Sequence, residues 1–139
     1  IEEFVENKNN QLEAFDWWMF CKLDEHLDKV HIPYYSGESN TIRKFHPDFI
    51  FWLKKDKKYF IIFVDPKGTQ HADYQFKIDG YRQIFEERNN KKIFKQNNFE
   101  IKCYLYLHTY DVNKVAGDYK KYWFDDFKTM IKKFVEEQK

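Results

Sequence analysis

Glycine and proline are scarce in this chain, with four and three respectively among 139 residues. That leaves no composition for a flexible linker or an internal boundary, so a single domain is expected. Cysteine is scarcer still. Cys21 and Cys103 lie far apart and neither belongs to a CxxC pair, which argues against a disulfide framework or a structural zinc site. A reducing, cytoplasmic setting is the expectation. No run of about 18 apolar residues occurs, so no transmembrane helix is expected, and no signal peptide is visible. Charge of one sign is lacking too. With 24 basic and 23 acidic residues the net charge is +1, so bulk charge argues neither for nor against nucleic acid.

Hydrophobic residues make up 42% of the chain and aromatic residues 21%, enough for a packed core. Residues 1–8 read as the tail of a helix, and the start at Ile1 leads to the expectation of a piece of a longer protein. Strands are expected at Asp16–Leu23 (DWWMFCKL) and Lys29–Tyr35 (KVHIPYY), with a turn at Asp24–Asp28. One helix over residues 11–30 is the rival reading, because Leu12, Phe15, Met19, Leu23 and Leu27 fit a helical stripe. Ser36–Thr41 reads as a loop. Pro47–Leu53 (PDFIFWL) and Tyr59–Val64 (YFIIFV), joined by the polar Lys54–Lys58, form a hairpin signature. Both strands are apolar on both faces, which places them mid-sheet under helices. A helix is expected over residues 73–89 with Tyr74, Ile78, Tyr81 and Phe85 on one face. A strand follows at Ile101–Leu107, and a last helix over residues 119–136 turns Trp123, Phe127, Met130, Ile131 and Phe134 inward. The order predicts an α/β sandwich with a central mixed sheet flanked by helices.

Chemistry concentrates on the hairpin. Folding it about the middle of its turn sets Asp48 opposite Asp65, with Cβ atoms about 4.5–5.5 Å apart. Lys67, two residues on, points to the same side if the strand continues. Two carboxylates that close beside Ile50 and Phe63 need a cation or a proton between them. A hard divalent ion suits them, and the Pro66 carbonyl is placed to add an oxygen. A metal on two carboxylates beside a lysine can stabilise a scissile phosphate and acidify an attacking water. The Asp/Glu-x-Lys triplet occurs seven times in the chain. Only Asp65-Pro66-Lys67 ends an apolar strand and faces a Pro-Asp pair.

FHPDFIFWLKKDKKYFIIFVDPKG resembles the PD-(D/E)xK nuclease signature, with Pro47-Asp48 followed by Asp65-Pro66-Lys67. Over about residues 1–90 the chain is most similar to the C-terminal endonuclease domain of type III restriction Res subunits and related helicase-fused proteins. The resemblance implies a restriction-endonuclease-like αβββαβ core and a Mg²⁺-dependent DNA endonuclease, with Mn²⁺ as a substitute. It implies a helicase motor in the same full-length chain, where any ATP would bind, and a methyltransferase subunit as partner. The family often adds a glutamate from the first helix as a ligand. Glu2, Glu3 and Glu6 are the candidates, and Glu13 only if residues 11–30 are helical. Lys77 is the candidate for a lysine on the helix after the motif. The alternative is a catalytically silent nucleic-acid-binding or docking domain of a helicase with the same fold. His46 reads as a structural histidine beside the motif, and the Trp17-Trp18 pair as core. Arg82, Arg88, Lys91, Lys92 and Lys95 form a basic stretch able to track a DNA backbone or simply to face solvent.

Overall fold

The two apolar runs of the hairpin become the middle of the sheet. In the computed structural model, which describes residues 11–24, 29–66, 74–88, 90–115 and 117–138, β1 is Trp17–Lys22, β2 Ile32–Ser36, β3 Thr41–Phe45, β4 Phe49–Lys55 and β5 Lys58–Asp65. Helix α1 (Tyr74–Phe85) follows. Then come the two-residue strands β6 (Glu86–Glu87) and β7 (Asn90–Lys91), β8 (Phe94–Gln96), the long β9 (Phe99–His108), the short β10 (Trp123–Phe124) and α2 (Phe127–Glu137). No described helix is long and apolar enough to cross a membrane.

The main sheet runs β1-β4-β5-β9-β10, with β8 also against β9. β4 is antiparallel to both its neighbours, β9 is parallel to β5, and β10 is parallel to β9. β1, β5, β9 and β10 therefore point the same way and end at one rim. The tight turns follow local chemistry. Asp56 takes a positive φ between β4 and β5, and Asn97 and Asn98 both do so between β8 and β9. Asp and Asn tolerate that region better than other side chains.

Strand alternation sends the central residues into two separate cores, as their two-faced apolarity requires. Phe51, Leu53, Phe60, Ile62 and Val64 join Met130, Ile131 and Phe134 of α2, with Leu12 and Phe15 from the N-terminal turn. Ile50 and Phe63 join Ile78 and Tyr81 of α1, with Ile32, Tyr34 and Phe45 of a β2–β3 ribbon. Each fully buried side chain of this size contributes about 1.5–3 kcal/mol. The ribbon presses closely on α1: a Cβ added at Gly80 would lie 2.5 Å from the Pro33 carbonyl oxygen. A side chain there would collide with strand backbone.

Several expectations change. Residues 11–30 are not one helix: a 3₁₀ turn over Gln11–Ala14 leads into β1. β1 and β2 do not pair with each other; β1 joins β4 and β2 joins β3. β3 was not foreseen beyond the Ser36–Thr41 loop. Four of its five residues are exposed, so the strand has no apolar alternation to reveal it. The last helix is shorter than residues 119–136. Residues 117–122 form a 3₁₀ turn, Trp123 and Phe124 pair with Leu107 and His108, and α2 starts at Phe127. Asp126 sets that start by accepting the Thr129 amide proton at its N-cap. The expected tail of a helix at residues 1–8 lies outside the described residues.

Candidate metal-binding rim

The hairpin pairs in the register expected from its turn. Phe49 faces Val64, Ile50 faces Phe63, and the pairing continues to Lys55 and Lys58. Continued one step past Phe49–Val64, this register would set Asp48, the bend residue just before β4, opposite Asp65, the last residue of β5. On the outer side of β4 the backbone pairing also extends this far, because the Leu23 amide donates to the Asp48 carbonyl at 2.7 Å. On the other side Asp65 pairs with Leu107 of β9. The end of the sheet therefore carries Leu23 bonded to Asp48 and Asp65 paired with Leu107. It lies at the rim where β1, β5, β9 and β10 end, the rim at which open α/β sheets bind ligands.

Asp65 is only 8% exposed, Asp48 is half-buried and Pro47 buried. Behind them stand the buried Ile50 and Phe63. Asp48, Asp65 and the carbonyl of Pro66, the turn residue after β5, offer oxygen donors of the kind that Mg²⁺ takes. Among the described residues no three His, Cys, Asp or Glu side chains group closely enough to hold a metal. Further ligands would come from water, backbone carbonyls or residues outside that set.

Helix α1 begins at this rim. Tyr74 in its first turn meets Trp123 edge-on at 5.0 Å between ring centroids, and Trp123 pairs with Leu107. Lys77, also in the first turn, holds its ammonium 5.0 Å from the centre of the Phe45 ring. Phe45 immediately precedes His46-Pro47-Asp48, so Lys77 sits beside the strand that delivers Asp48. The His46 ring is 5.9 Å from that of His31, and its Nδ1 is buried without a hydrogen-bond partner among the described residues. Lys67, Glu2, Glu3 and Glu6 lie outside the described residues. Glu13 is exposed on the 3₁₀ turn, and the helix that would have carried it to the site does not form.

A second polar cluster escaped the sequence reading. At the end of α1 the Glu86 side chain is 3% exposed, with Lys91 at 3.5 Å and Lys121 at 3.3 Å. Tyr122 donates to Glu86 Oε1 at 2.8 Å. Lys91 donates to the Tyr81 hydroxyl, which donates to the Cys103 carbonyl. Burial pulls the Lys91 amine down to about 8 against the pull of Glu86. Burial pushes the Tyr81 and Tyr122 hydroxyls up, Glu86 adding to both. Lys91 is thereby committed to the interior rather than to a solvent-facing basic track. No local pattern announced this cluster, because Tyr122 lies 36 positions from Glu86. Lys91 and Lys121 line a cavity of about 250 Å³ together with Tyr104, Tyr106 and Trp123.

No curated protein and no solved structure matches this chain. One family model does, over residues 1–116, which takes in both aspartates of the rim and all of β1 to β9. The chain belongs to the YagJ family.

Proposed function

We propose that this chain is a metal-dependent endonuclease domain of the PD-(D/E)xK type that hydrolyses DNA phosphodiester bonds. The observation that supports the reading is the hairpin register, whose continuation one step past Phe49–Val64 would set Asp48 beside Asp65 at the strand-end rim. The order of elements is consistent with it. β1, β4 and β5 form an antiparallel meander, α1 crosses over, and β9 returns parallel to β5. In this reading they would be the βββαβ part of a restriction-endonuclease-like αβββαβ core. The type III-like restriction system, with its helicase motor and methyltransferase partner, rests on the sequence resemblance.

Asp48, Asp65 and the Pro66 carbonyl would hold Mg²⁺, or Mn²⁺ in its place. When bound, the ion supplies charge stabilisation to the scissile phosphate and a lower pKa to an attacking water. Lys67 would supply a cation to the charge that develops on the phosphate and help orient the water. Ile50, Phe63 and Leu107 give the row an apolar floor that strengthens these interactions. Lys77 offers a point charge to the DNA backbone from the first turn of α1.

Incubation of the chain with duplex DNA and Mg²⁺ or Mn²⁺ tests the reading. Cleavage is expected, and Asp48→Ala, Asp65→Ala and Lys67→Ala should each abolish it with the fold intact by circular dichroism. Three variants that cut like the wild type would refute it. DNA binding with no metal affinity and no cleavage would favour the silent binding domain.

A further inference from the structure

The outer edge of β9 is covered only at its two ends. β8 pairs with residues 99–101, and β10 pairs with Leu107 and His108. Among the described residues no strand covers the stretch between. The cavity of about 250 Å³ lies there, with Tyr104 and Tyr106 of β9, Trp123 of β10 and Lys133 of α2 in its wall. Three donors in this wall are uncommitted. Trp123 is buried, and its Nε1 has no hydrogen-bond partner among the described residues. Neither the Tyr106 hydroxyl nor the Lys133 ammonium has one there. The other lysines of the wall are engaged, Lys91 and Lys121 with Glu86 and Lys120 with Asn113. Its acids, Asp125, Asp126 and Glu137, are exposed and screened by solvent, and Asp126 already accepts from the Thr129 amide. A buried donor without an acceptor is costly, and a ligand rich in acceptors removes that cost.

We propose that this cavity binds a single nucleotide, its base against the aromatic wall and its phosphate at Lys133. Tyr104 and Tyr106 form that wall with near-parallel rings, 12° apart in plane and 6.4 Å between centroids. Aromatic faces of this kind take any base, since every base has a π-face. The carbonyls and ring nitrogens of a base accept hydrogen bonds, which suits the Trp123 indole and the Tyr106 hydroxyl. Lys133 adds a point charge for the phosphate. The choice of a nucleotide over another ring-bearing anion rests on the endonuclease reading. Trp123 pairs with Leu107, and Leu107 with Asp65. The cavity wall therefore begins two strand spacings, about 10 Å, from the rim. A nucleotide of a strand held at the rim could reach it once its base leaves the stack.

NMR titration of the chain in EDTA tests this without metal or cleavage. Deoxyadenosine monophosphate should shift the Trp123 indole N–H resonance saturably and leave those of Trp17, Trp18 and Trp52 in place. Deoxyadenosine and inorganic phosphate should each bind at least tenfold more weakly. Lys133→Ala should lose about tenfold toward the monophosphate and nothing toward the nucleoside. Tyr106→Phe should weaken both several-fold. Lys133 is exposed, so its variant serves if Tyr106→Phe disturbs the fold. A single-stranded oligodeoxyadenylate that reproduces the Trp123 shift assigns the site to a nucleotide within a strand, and a shift from the monophosphate alone assigns it to the free nucleotide; both support the proposal. No saturable shift at Trp123 would overturn it. So would equal affinity for nucleoside and monophosphate, or two variants that bind like the wild type. An empty cavity leaves the nuclease reading standing, and a chain that binds the monophosphate yet never cuts DNA with Mg²⁺ or Mn²⁺ refutes only that reading.

Discussion

Raising the pH from 8 to 9 should stabilise this protein. The Lys91 side chain is 27% exposed and ringed by Tyr81, Tyr104 and Glu86, and burial lowers its amine from 10.5 to about 8. The folded chain therefore bears a cost for the charged amine that is complete below pH 8 and relieved as the proton leaves. Between 8 and 10.5 the unfolded chain holds a proton that the folded chain has largely released, so Lys91 raises stability by at most about 1.4 kcal/mol per pH unit, and by about half that at pH 8 itself. Cys103 opposes this above pH 9. Burial pushes its thiol from 9.0 to about 12, so there the folded chain keeps a proton that the unfolded chain loses. The two slopes cancel between 9 and 10. Above 10 the buried hydroxyls of Tyr81, Tyr106 and Tyr122, all pushed up by burial, turn the slope downward. Urea unfolding followed by tryptophan fluorescence, at fixed ionic strength with a reductant, should show a gain of about 0.6 kcal/mol from pH 8 to 9, a plateau, then a decline. Lys91→Met should remove the gain, and Cys103→Ser should extend it to pH 10. A flat or falling profile between 8 and 9, or an unchanged slope in Lys91→Met, would refute the reasoning.

Two further substitutions probe packing. Glu86→Ala leaves Lys91 and Lys121 without their shared carboxylate and Tyr122 without its acceptor, and should cost about 3–5 kcal/mol in denaturant unfolding at pH 7. A loss below 1 kcal/mol would mean the cluster is solvated in solution. Gly80→Ala drives a methyl onto the Pro33 carbonyl and Tyr34 Cβ. Overpacking of about 1–3 kcal/mol should outweigh the roughly 1 kcal/mol gained in helix propensity, so the melting temperature should fall; a rise would show that the ribbon yields.

The hairpin was legible because β4 and β5 are apolar on both faces and a polar turn separates them, so one register follows from the turn's centre. β1 was readable only in competition with a helix, since its apolar spacing served both periods until pairing with β4 decided it. β3 stayed hidden because TIRKF buries only Phe45. Trp123 suited an inward helical position, yet β9 claimed it as a strand partner, a tertiary pairing that local pattern does not encode. The hairpin register that underlies the expected acidic pair could be read from the sequence, because it depends on the turn's centre alone. The Glu86 cluster was not, because its members meet only once α1, β7 and the 117–122 turn have packed.

The most direct measurement of the central claim is anomalous diffraction from crystals of the chain grown with Mn²⁺. The account predicts one anomalous peak bridging the Asp48 and Asp65 carboxylates, lost in Asp65→Asn. Carboxylates turned to opposite faces of the sheet, or a rim without manganese while DNA cleavage persists, would contradict it.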